Sequence, residues 1–261
     1  MGKKMINELH KFISEKKPDE GALRKFVKEL AYANSPTERT ISVRYSQIKK
    51  HIRDIHPEYS DQFLKELNPP KELTAKIIQE NKERKMKKKM VKFDAELMNK
   101  IYDLRLSDNV YAQSIYLQFI SGRRINEIFD GEFKISNKDP REVSMRLSKK
   151  NGDEKMKFHK FELLKDTSSN KEFKEMLKKM RSSVNGMSVK DFTNRVNRKI
   201  RDVVRKDLSS HDLRGIYAVL KYETDNPDNL TLIGHINKSL NHGESSIDSS
   251  VSYSNFKYEP N

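Results

Sequence analysis

Apolar residues recur along this chain at helical spacing through most of its length. Leu23, Phe26, Val27 and Leu30 follow the i, i+3, i+4, i+7 rule and share one face. Ile41, Tyr45, Ile48, Ile52 and Ile55 form a second stripe, with Arg39, Arg44, Lys49, Lys50 and Arg53 on the opposite face. Between the two stripes, Ser35-Pro36-Thr37-Glu38 reads as a capping box with proline in the first turn. Pro69-Pro70 breaks the chain before another helix around Leu73 and Ile77. The pattern predicts a small helical domain over residues 1–81.

Apolar periodicity then gives way to Lys82-Glu83-Arg84-Lys85-Met86-Lys87-Lys88-Lys89-Met90-Val91-Lys92. Self-repulsion makes so basic a run a poor core element, so residues 82–92 are expected to be a linker that follows a phosphate backbone. A second domain, 93–261, is expected to open at Asp94, which can cap a helix carrying Leu97, Ile101 and Leu104. Helical patterns run on through Ile128. Short strands are expected near Glu132–Ser136, Val143–Ser148 and Lys155–Phe161, the last two flanking the turn signal Asn151-Gly152-Asp153-Glu154. Helices resume with Phe173, Met176, Leu177 and Met180, then with Phe192, Val196, Ile200 and Val203. Around the other faces of the latter stand Arg195, Arg198, Lys199, Arg201 and Arg205, a set suited to a nucleic-acid groove. The fold class read from these patterns is mainly α, strictly α+β, with a small antiparallel sheet in the second domain.

Charge narrows the function. The 261 residues carry 53 Lys and Arg against 38 Asp and Glu, a formal +15 at pH 7. Nucleic acid is the commonest partner for such an excess, because each neutralised phosphate releases a counterion. The absence of cysteine excludes disulfides, thiolate metal sites and thiol nucleophiles. The seven histidines form no HxxxH or HExxH pair, so no metal site is expected. No apolar run approaches spanning length and the start lacks a signal-peptide core. The expected setting is inside a cell: cytoplasmic or nucleoid-associated in a prokaryote, or wherever a virus or mobile element replicates.

Four short stretches stand in an informative order. Ser121-Gly122-Arg123-Arg124-Ile125-Asn126-Glu127-Ile128 puts arginine at a helix start. His211-Asp212-Leu213-Arg214-Gly215 spaces a proton-transfer group and a guanidinium one helical turn apart. Leu232-Ile233-Gly234-His235 and Ile247-Asp248-Ser249-Ser250-Val251-Ser252-Tyr253 follow. Together they resemble the arginine, His-x-x-Arg, Leu-Leu-Gly-His and tyrosine boxes of the tyrosine recombinases, the phage-type integrase family that breaks and rejoins DNA. The resemblance covers the last two-thirds of the chain; residues 1–81 match only in general character, as a helical DNA-clamping domain.

The resemblance implies a catalytic set of Arg124, Lys149, His211, Arg214, His235 and Tyr253, with no cofactor or metal. Arg124, supported by Glu127, and Arg214 would hold the non-bridging phosphate oxygens, His211 would take the proton of Tyr253, and His235 would support the phosphate. A lysine beside the hairpin turn would protonate the departing 5′ oxygen; Lys149 fits slightly better than its neighbour Lys150. Tyr253 would become joined to a 3′ phosphate. Tyr258 is a minor rival, so close to the end that its position is expected to be poorly fixed; Tyr217 and Tyr222 read as packing residues. The gap between His235 and Tyr253 exceeds the family pattern, suggesting an inserted loop near residues 237–245. The partner implied is double-stranded DNA, bound by a self-assembling dimer or tetramer, with no membrane involved. The leading expectation is a site-specific recombinase or integrase. Type IB topoisomerase and telomere resolvase share the chemistry, and an inactive DNA-binding relative is a further alternative.

Overall fold

The computed structural model describes every residue except 1–2, 87–88, 147–157, 227, 241–250, 252 and 261. The chain divides into two compact units, Met1–Lys88 and Lys89–Asn261. No helix among the described residues is long and apolar enough to cross a membrane.

Five helices make the first unit: α1 (Lys3–Lys16), α2 (Glu20–Tyr32), α3 (Glu38–Ile55), α4 (Asp61–Glu66) and α5 (Lys71–Met86). The predicted stripes meet in one core, where Leu23, Val27, Ile48 and Ile52 are fully buried beside Leu9 of α1 and Phe63 of α4. The cap of α3 is Thr37, whose hydroxyl accepts from Thr40 N at 3.3 Å, rather than Ser35. Asn34 and Ser35 take positive φ of 62° and 45°, so the turn ends two residues later than the sequence pattern placed it. The basic run does not behave wholly as a linker. Its first part, through Met86, belongs to α5, and Val91 and Lys92 belong to a strand.

Three imidazoles cluster between α1 and α3. His10 Nδ1 lies 3.2 Å from His56 Nε2, and His56 Nδ1 lies 3.1 Å from Glu58 Oε1. The His51 ring stands edge-on to His10, centroids 4.9 Å apart. Burial, reinforced by His10 and His56 and opposed by Asp54, pushes His51 below its ordinary value of 6.5. A histidine with a depressed folded-state pKa binds fewer protons folded than unfolded once pH drops below 6.5. Its stabilising contribution is therefore full above that pH and lost as pH falls through the folded value. Hydrogen-exchange protection of α1 and α3 amides should fall between pH 7 and pH 5; equal protection factors at both would refute this.

The second unit is built from β1 (Val91–Phe93), α6 (Ala95–Asp103), a 3₁₀ turn at Leu104–Leu106, α7 (Val110–Ser121), α8 (Ile125–Asp130), β2 (Phe133–Ile135), β3 (Glu142–Arg146), β4 (Phe158–Glu162), α9 (Asn170–Ser183), α10 (Val189–Val203), α11 (Ser210–Thr224), α12 (Leu232–Ser239) and β5 (Phe256–Tyr258). The predicted sheet is present as antiparallel β2-β3-β4, with Val143 facing Phe161. The turn between β3 and β4, with Lys149, Lys150 and Asn151-Gly152, lies outside the described residues. α7 is the central element: every residue from Ala112 to Ser121 is buried, and α9, α10 and α11 all pack on it.

One element has no counterpart in the sequence reading. β5 pairs in parallel with β1, placing Val91, Lys92 and Phe93 beside Phe256, Lys257 and Tyr258. Tyr258 is thus fixed in a strand, its ring 5.5 Å from that of Phe93, contrary to the expectation of a loose position. Arg205, expected in a DNA-facing set, lies beyond the end of α10 and donates to Lys92 O of β1 at 2.6 Å.

Candidate active site

The first arginine box sits where α7 hands over to α8. Gly122 takes φ +62°, the left-handed conformation that ends a helix. No other residue fits there, because an added Cβ would lie 2.1 Å from the Tyr217 ring. The next two residues separate sharply. Arg123 is fully buried, donating Nε to Ser121 O at 3.1 Å and Nη2 to Ser239 O at 2.7 Å, with its guanidinium 4.5 Å over the Phe161 ring. Arg124 stands at the N-cap of α8 with its side chain one-third exposed. The fully buried Glu127 accepts from Arg124 N and from Nη1, both at 2.9 Å, and so aims the guanidinium. Arg181 of α9 fastens the other end of this short helix, donating to Glu127 O at 3.1 Å and Ile128 O at 3.0 Å.

The second box opens α11. Asp212 accepts from Ser209 N at 2.9 Å and Ser209 Oγ at 2.6 Å, which fixes the first turn. His211 is exposed on that turn, whereas Arg214, one turn on, is buried. Arg214 donates to Gly122 O and, at 2.7 Å, to Leu240 O. Burial, then the neighbouring Arg123, pushes its pKa down to about 9, with Tyr253 and Glu127 pulling the other way. A cation in this environment gains from any anion that arrives.

Tyr253 completes the group. It is almost wholly buried, and its hydroxyl lies 3.5 Å from His211 Nδ1 and is hydrogen-bonded to Arg214. Burial raises the phenol above its ordinary value of 10.0, opposed first by the charge and hydrogen bond of Arg214 and then by Arg124. Arg124, His211, Arg214 and Tyr253 are therefore brought together, with Arg123 and Glu127 behind them.

His235 has a separate set of partners. On α12, its Nδ1 lies 3.3 Å from Asn226 Oδ1 and its ring meets Tyr222 edge-on at 5.7 Å, while Nε2 is buried without a hydrogen-bond partner among the described residues. It lines a cavity of about 370 Å³ with Arg141, Glu162, Lys221 and Asp225. Burial and Lys221 hold it below its ordinary value. The expected inserted loop is partly helix, since α12 runs through Asn237 to Ser239; residues 241–245 lie outside those described. Lys149, expected as the proton donor, cannot be placed for the same reason. Tyr217 packs in the core with its hydroxyl on Glu162 O at 2.7 Å.

A family model described as the telomere resolvase ResT/TelK catalytic domain matches residues 80–256. The chain belongs to this family. Two solved structures of the protelomerase TelA share the fold of this telomere resolvase. One is an alanine variant covalently complexed with substrate DNA, with TM-score 0.80 and 19% identity over 99% of this chain and 90% of that one. The other is a variant complexed with DNA hairpin product, with TM-score 0.79 and 19% identity over 99% and 89%. The protelomerase TelK complexed with substrate DNA gives TM-score 0.58 and 18% identity over 99% of this chain and 59% of that one. No curated protein matches the chain. The family is the telomere resolvase alternative named from the sequence, which it favours over the leading expectation of a site-specific recombinase; the two share DNA cutting and rejoining through a tyrosine.

Proposed function

We propose that this telomere resolvase cuts double-stranded DNA at an inverted repeat and rejoins each strand to its own complement, leaving hairpin ends. The observation that carries this reading is the Tyr253 hydroxyl held between His211 and Arg214 in a telomere resolvase catalytic unit. The TelA structure with hairpin product supplies the form of the product by analogy.

A neutral tyrosine is a weak nucleophile; at an ordinary pKa roughly one in a thousand is ionised at pH 7, and burial makes it rarer here. The proton therefore leaves as the bond forms. Tyr253 Oη attacks phosphorus, and its proton passes to His211 Nδ1. Arg124 and Arg214 stabilise charge on the non-bridging oxygens with paired donors, which a guanidinium provides better than an ammonium. The bond to the 5′ oxygen breaks, and that oxygen takes a proton from a lysine, Lys149 by its position in the chain. The 5′ hydroxyl of the opposite strand then attacks the phosphotyrosine, and Tyr253 leaves with its proton restored. One phosphodiester is exchanged for another, so no external energy source enters. His235 would support the phosphate. Two copies, one per strand, suit an inverted repeat, and the exposed Arg195, Arg198 and Arg201 of α10 suit its phosphates.

The test is incubation with a supercoiled plasmid carrying the inverted repeats of the protein's own replicon. Linear products whose strands snap back after denaturation are expected. Relaxed circles without linear product would instead indicate a topoisomerase, and exchanged junctions between two plasmids would indicate a recombinase.

A further inference from the structure

Three residues after Tyr253, the Phe256 ring occupies the space above Gly215. An added Cβ at Gly215 would lie 2.4, 2.7 and 2.8 Å from three atoms of that ring. Gly215 directly follows Arg214, so the ring rests on the backbone of the turn that carries the buried guanidinium. Phe256 is itself buried and belongs to the same core as Tyr253. Phe256 N donates to Tyr253 O at 3.4 Å, closing a turn between the two residues, and Ser254 bonds back to Val251 O through its N at 3.1 Å and its Oγ at 2.8 Å.

The strand that Phe256 begins is held from its other side. Val91 N donates to Asn255 O at 2.7 Å, Glu259 N to Phe93 O at 2.9 Å, and Asn255 Nδ2 to Lys89 O at 3.2 Å. Lys92 adds an ion pair with Glu259 at 3.0 Å. The tyrosine segment is thus pinned between α11 and β1 within one unit, with Phe256 set against Gly215.

We propose that Phe256 is a positioning residue for Tyr253: seated on Gly215, it fixes the height of the tyrosine hydroxyl relative to Arg214 and His211. This rests on the reading of Tyr253 as the nucleophile. Nucleophilic attack needs the reacting atoms about 3–3.5 Å apart and in line, and a misplacement of about 1 Å costs on the order of a hundredfold. Phe256 carries no group that donates to a phosphate or takes a proton, so its removal acts on the rate of attack and not on the phosphate contacts that hold DNA.

The experiment measures single-turnover covalent adduct formation on a nicked duplex, at saturating DNA, together with DNA affinity and the folded fraction by circular dichroism. Phe256→Ala should lower the adduct rate by about a hundredfold, with affinity within twofold and the rate corrected for any unfolded fraction. Phe256→Leu, which keeps apolar volume without the flat ring, should recover part of the rate and serves as the test if the alanine variant does not fold. Gly215→Ala should slow the wild-type chain but have little further effect in the Phe256→Leu background, since the clash is with the ring. A folded Phe256→Leu and Phe256→Ala pair reacting at wild-type rate would overturn the proposal. So would an affinity loss that accounts for the whole effect. Tyr253→Phe is run beside them: an adduct in that variant would remove the nucleophile reading itself, whereas its absence with normal Phe256 variants would remove only this inference.

Discussion

Tyr253→Phe should give a folded protein that binds DNA and forms no covalent adduct. The substitution removes one oxygen from a ring whose packing places it in the core of the second unit. A lost side-chain hydrogen bond costs about 0.5–1.5 kcal/mol, too little to unfold a domain. The chemistry has no substitute for that oxygen. Nearby hydroxyls are committed elsewhere: Tyr217 donates to a backbone carbonyl, and Tyr258 sits in β5 against Phe93. A nicked substrate that sheds its short 5′ fragment traps the adduct for peptide mass mapping. An adduct on Tyr258, or one that persists in the Phe variant, would defeat the assignment.

The second large effect is expected from Arg214→Lys. Lysine keeps a charge but cannot serve Gly122 O, Leu240 O and Tyr253 together, as the guanidinium fork does. Each buried carbonyl left unpaired costs about 1–3 kcal/mol, so the melting temperature should drop. At a temperature where the variant remains folded, cleavage at saturating DNA should slow by about a hundred- to a thousandfold, the usual loss for one preorganised donor. Arg124→Lys offers the contrast. Its side chain is one-third exposed and, among the described residues, held by Glu127, so stability should change little while the rate falls comparably. A folded Arg214→Lys protein cleaving at near wild-type rate would show that this guanidinium does not meet the transition state.

What the sequence made legible follows from how local each signal is. Helices such as α10 were readable because Phe192, Val196 and Ile200 recur at one spacing, and all three are fully buried. The antiparallel sheet was readable because a turn signal lies between alternating segments. β5 was not: Phe256-Lys257-Tyr258 is a three-residue strand whose partner stands at the opposite end of the unit, and no local pattern encodes such a pairing. The same blindness set the expected domain start at 93, which would cut β1 in two. Box order brought Arg124, His211, Arg214 and Tyr253 onto one page, and the structure gathers these four. It could not show that Arg123, beside Arg124, turns inward to hold Ser239 O, since adjacent arginines differ only in which side of a helix entrance they take. Nor could it place His235, because its direction depends on α12 packing beside Asn226 and Tyr222.

The parallel sense of β1 and β5 also determines how the tyrosine segment yields to a pull. Tyr253 lies just ahead of β5, and the basic segment just ahead of β1. Tension between DNA joined to Tyr253 and the basic segment would therefore load both strands at their leading ends. Hydrogen bonds in that geometry part in sequence, beginning with Asn255 Nδ2 to Lys89 O and then Val91 to Asn255, instead of resisting together as they do when strands are loaded from opposite ends. Each contributes only about 0.5–1.5 kcal/mol. The pairing is thus weak against peeling, so a stretched DNA substrate would free the tyrosine segment from β1 before it strained the helices behind it.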